Sequence, residues 1–152
     1  MKRKWFSLLV AVFLIIGVAI GFGGILHSKS SSNDDLGFSN AKVDPDKVQV
    51  TVETDLKRPK KNQQILFDKQ IKYQKGMTAF SALKKVAGKQ VGYQNGATVY
   101  VNRIGKYTEN DVHSGTGWKY YVNNGKDIAK AANLKTLKAG DHLYWRFVDG
   151  YK

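Results

Sequence analysis

A run of 22 uncharged residues, Trp5-Phe-Ser-Leu-Leu-Val-Ala-Val-Phe-Leu-Ile-Ile-Gly-Val-Ala-Ile-Gly-Phe-Gly-Gly-Ile-Leu26, limits what this chain can become more than any other feature. As a helix rising about 1.5 Å per residue it reaches about 33 Å, enough to cross the hydrocarbon core of a bilayer. Met1-Lys-Arg-Lys4 precedes the run and only Lys29 follows it closely, which places the N-terminus inside and the remainder outside. Two readings compete. One is a cleaved secretory signal with its best small-x-small site at Ala19-Ile20-Gly21; the other is an uncleaved signal anchor. The run exceeds the length of an ordinary signal core and contains its own cleavage site, which favours the anchor.

After that run 126 residues remain, room for one small domain and a tail. Large multidomain enzymes are excluded. Residues 27–46 are polar and without period, a flexible tether that holds the domain off the membrane. The whole chain carries 25 Lys and Arg against 12 Asp and Glu, a net charge of +13. It has no cysteine, so a disulfide scaffold, a thiolate metal site, a cysteine nucleophile and a lipidated N-terminal cysteine are all ruled out.

The expected domain is α+β. Val48, Val50 and Val52 alternate with Gln49, Thr51 and Glu53, giving a first strand with one dry face. A second covers about Leu66 to Tyr73, after a turn rich in basic residues at Leu56–Asn62. Met77, Phe80, Leu83, Val86 and Ala87 fall on one side at helical spacing, with Thr78 placed to cap the start and Gly88 the end. Three further strands are expected: Ala97 to Arg103, Trp118 to Val122, and His142 to Val148. In the last, Leu143, Trp145 and Phe147 face one way, and His142, Tyr144 and Arg146 the other. This order predicts a β-grasp-like mixed sheet of about five strands with one helix packed across it, preceded by a single N-terminal transmembrane helix.

Three segments carry a family resemblance. Tyr73-Gln-Lys-Gly-Met-Thr-Ala-Phe-Ser-Ala-Leu-Lys84, Gly117-Trp-Lys-Tyr-Tyr-Val-Asn-Asn-Gly125 and Leu137-Lys-Ala-Gly-Asp-His-Leu-Tyr-Trp-Arg-Phe147 resemble, in this order, the helix opening, the tryptophan strand and the closing strand of the transcobalamin C-terminal-like domain family. In the vertebrate cobalamin carriers of that family this domain follows a helical barrel and the corrinoid lies between the two. No barrel fits in 126 residues, so the resemblance implies one wall of such a site. It places corrinoid contacts on Gly117, Trp118, Tyr120 and Asn123. No cofactor is required; cobalamin or a related corrinoid is the ligand implied.

The residues point to the same edge. Ser114-Gly-Thr-Gly117 opens the backbone to close approach, and Asn123-Asn-Gly125 offers amide groups beside aromatic rings, although Asn124-Gly125 is also an ordinary turn. Tyr107 and Tyr144 join Trp118 and Tyr120 in an expected exposed aromatic strip bordered by a flexible loop from Lys106 to Gly117. The alternative for the tryptophans is the core under the helix, the favoured reading for Trp145, although a domain of this size rarely needs so many tyrosines inside.

Other chemistry has thin support. Asp111, His113 and Ser114 are the residue types of a hydrolase triad, but neighbours in a chain rarely reach one another from opposite sides of an imidazole. The histidines His27, His113 and His142 have no ligand-like spacing. No nucleic-acid-binding module is present. The sequence therefore predicts a binding domain, not an enzyme, that is tethered to the membrane and captures a small ligand for a membrane transporter component. The alternative is adhesion, with Lys57, Arg58, Lys60 and Lys61 binding an anionic envelope polymer or a partner protein, or else forming a solvated turn.

Overall fold

The computed structural model describes residues 42–55, 65–125 and 128–149. The apolar run, most of the polar tether and the basic residues Lys57, Arg58, Lys60 and Lys61 lie outside these. Among the described residues no helix is long and apolar enough to cross a membrane.

The valine alternation does what its period requires. Strand β1 (Lys47–Thr54) buries Val48, Val50 and Val52 completely, each contributing about 1.5–3 kcal/mol. It pairs antiparallel with β2 (Ile65–Lys72). Helix α1 (Ala79–Ala87) lays Ala82, Leu83 and Val86 into the same core. Thr78 caps it reciprocally: its side chain accepts from the Ser81 amide at 3.1 Å, and its own amide donates to the Ser81 hydroxyl at 2.9 Å. Met77 is buried but precedes the helix.

The chain next forms β3 (Val91–Gln94), β4 (Tyr100–Ile104), the two-residue β5 (Tyr107–Thr108), β6 (Thr116–Val122) and β7 (His142–Asp149). Two sheets result. One is mixed, in the order β2-β1-β7-β6, with β1 and β7 parallel at its centre. The other is β3-β4-β5. A parallel pair needs a long crossover; here everything between β1 and β7 supplies it. Val91, Val101 and Ile104 from the second sheet join Val50, Leu83, Leu143 and Trp145 in one core, so α1 and the small sheet cover the same face of the large one.

Among the described residues the fold is thus mixed α+β with one α-helix, but seven strands in two sheets replace the single sheet of about five. The expected strand from Ala97 begins at Tyr100. Strand β3 escaped notice because it is four residues long with Gly92 inside it. That glycine is a close-approach position: a Cβ there would stand 2.9 Å from the Cβ of Arg103 on β4.

Candidate ligand site

Strands β6 and β7 pair so that Trp118 faces Phe147 and Tyr120 faces Trp145, all on the side of the helix. Their rings pack as a pair and a trio: Tyr120 and Trp145 have centroids 5.1 Å apart, while Phe147 lies 5.1 Å from Trp118 and 5.4 Å from Tyr107. The Trp118 indole donates to the Tyr107 carbonyl at 3.0 Å. The Tyr120 hydroxyl donates to the Lys130 carbonyl at 2.5 Å, tying β6 to the segment 128–132.

Between these elements lies a cleft of about 170 Å³. Its walls come from β4 and the residue before it (Val99, Val101), from the aromatic strands (Trp118, Tyr120, Trp145) and from Ile128 to Ala132. Lys119 and Lys130 also line it, and no carboxylate does. The Trp145 indole nitrogen is buried with no hydrogen-bond partner, an arrangement that costs about 1–3 kcal/mol.

The opposite face of the sheet is polar and directional. Thr51 donates its hydroxyl proton to Asp68 at 2.8 Å, so its oxygen accepts from His142 Nε2, also at 2.8 Å. Nδ1 of His142 then accepts from the Tyr144 hydroxyl at 2.7 Å. This assigns the Nε2–H tautomer from the partners. Burial holds the His142 pKa down to about 4 against the opposing pull of Asp68, and burial pushes the Tyr144 hydroxyl well above its ordinary value. Beside them Arg146 donates from Nε and Nη2 to one oxygen of Glu53, at 2.8 and 2.5 Å.

The residues expected to form one site are therefore divided. Trp118, Tyr120 and Tyr107 come together. Tyr144 does not, because its register partner is Tyr121 and both point away from the cleft. Asn123 is occupied by the backbone: its side chain accepts from the His142 amide at 2.8 Å and donates to Asp141 at 2.7 Å. It also sits in a left-handed turn with Asn124. Gly117 has only ordinary contact beside it, the Glu109 Cγ at 3.8 Å.

Of the expected exposed aromatic strip, Tyr120 and Tyr144 are instead buried, at 7% and 1% exposed, and Tyr107 and Trp118 are half-buried; Trp145 lies in the core, as expected. The loop from Lys106 is not open chain either, since Asp111 accepts from the Thr108 amide and Asn110 from the Gly115 amide. His113 pairs with Asp149 at 2.5 Å rather than with Asp111. Among the described residues no group of His, Asp and Glu is placed to hold a metal ion. The residues 128–132 that close the cleft carry no motif, so sequence reasoning missed them.

Comparison with curated proteins gives no match. Among solved structures, a protein from Ruminococcus gnavus ATCC 29149 described as a "putative metal binding protein" is similar, with 14% identity and a TM-score of 0.49 over 69% of this chain and 98% of that one. Residues 76–149, from the turn before α1 to the end of β7, match the model of a family described as a domain of unknown function, DUF4430.

Proposed function

We propose that this chain is a membrane-tethered, extracytoplasmic binding domain that captures a small soluble ligand, a corrinoid being the first candidate, for uptake by a membrane transporter. The observation that carries the reading is the cleft between β4, β6 and residues 128–132, where four aromatic residues meet an apolar wall and two lysines. The similarity of residues 76–149 to a transcobalamin-like family supports it. So does the segment Trp5–Leu26, read as an anchor.

The cleft is far smaller than a corrinoid. Such a ligand rests across its mouth, with only a side group entering. Equilibrium dialysis of the detergent-solubilised full chain against cobalamin tests this: retention at micromolar concentration is expected, and its absence at high micromolar cobalamin removes the corrinoid.

A further inference from the structure

The two indoles beside the cleft differ in one respect. Trp118 has its N–H satisfied within the protein by the Tyr107 carbonyl at 3.0 Å. Trp145, only 3% exposed, has a donor with no acceptor. Buried polar groups are nearly always paired, so an unpaired donor on a residue that lines a cleft calls for an explanation.

Size and charge define that partner. A cavity of about 150 Å³ lined by apolar side chains accepts one benzene, and this cleft measures about 170 Å³. Its walls are aromatic and aliphatic, which suits a flat ring. Lys119 and Lys130 line it without any carboxylate, which disfavours a cation and attracts an anion. We propose that the cleft binds a single planar aromatic ring carrying a carboxylate, whose oxygen accepts from the Trp145 indole while Lys130 draws its charge. This rests on the ligand-capture reading of the same site and names the chemical group that enters it. The indole nitrogen exposes less than 1 Å², so the contact requires the side chains that cover it to shift as the ligand seats.

The test uses the full chain in detergent at low salt, with calorimetric titration of benzoate, benzamide and benzylamine. Benzoate is expected to saturate, benzamide to bind about tenfold more weakly for want of the charge, and benzylamine not to bind. Trp145→Phe removes the unpaired donor but leaves a small cavity in the core, so it should lower the melting temperature modestly and weaken benzoate about tenfold. Lys130→Gln should narrow the gap between benzoate and benzamide. Equal binding of benzylamine and benzoate, parental benzoate affinity in Trp145→Phe, or no benzoate binding at millimolar concentration overturns the proposal. Should Trp145→Phe melt far lower, Lys130→Gln decides: an unchanged ratio of benzoate to benzamide is then the overturning result. Retention of cobalamin without benzoate binding defeats this inference alone, whereas benzoate binding without cobalamin defeats only the corrinoid.

Discussion

Tyr120 and Trp145 stand opposite each other on β6 and β7 with their ring planes 31° apart, and Tyr120 reaches past the tryptophan to donate its proton to the Lys130 carbonyl. The pair is at once core and cleft wall. Tyr120→Ala should therefore cost about 3–5 kcal/mol, as large aromatic truncations do. Tyr120→Phe removes only the hydroxyl and should cost about 1 kcal/mol. Denaturant melts of both variants check this; equal melting of Tyr120→Ala and the parent would show that the ring is not part of the core.

The polar face carries a pH dependence of definite sign. His142 has a pKa of about 4 when folded and about 6.5 when unfolded. Between these values the unfolded chain binds a proton that the native chain refuses, so stability falls as pH drops from about 6.5 to about 4. It does not change through this group above or below that window. The full loss is about 3 kcal/mol. Replacing His142 with Gln should flatten the profile of melting temperature against pH across that interval.

Arg146 and Glu53 are a largely buried pair with side chains 6% and 16% exposed. Arg146→Met alone strands the Glu53 carboxylate and should cost about 3–5 kcal/mol. The double variant Arg146→Met with Glu53→Leu should recover most of that loss. A thermodynamic cycle on the four proteins measures the coupling, and additive losses would count against it.

Asn123 offers a separation of structure from binding. Asn123→Gly keeps the left-handed backbone, at φ 53°, but leaves the His142 amide without its acceptor. A loss of about 1–3 kcal/mol is expected without any ligand present. Unchanged stability together with lost ligand binding would instead return this residue to the site.

Several features were legible because they arise from neighbours in the chain. The period of two at Val48, Val50 and Val52 sets a dry face wherever the strand lies, and Thr78 with Ser81 caps a helix through groups three residues apart. The facing of Trp118 and Tyr120 away from Tyr121 follows from strand geometry alone. The α+β class followed from those same local patterns.

What the chain could not disclose by itself depends on partners far along it. The pairing of β1 with β7 joins residues over ninety positions apart, such as Thr51 and Tyr144, and only that register brings Thr51 to His142. Tyr144 looked like a ligand residue because composition counts tyrosines without regard to which face each occupies beside its neighbour strand. Asn123 looked open because nothing local shows that the His142 amide, nineteen residues on, takes its side chain. Residues 128–132 hold no pattern at all, yet the Tyr120 hydrogen bond to Lys130 makes them the wall of the cleft. Periodicity determined which side chains share a face; tertiary packing decided which face became core, which became cleft and which donor, that of Trp145, was left without a partner.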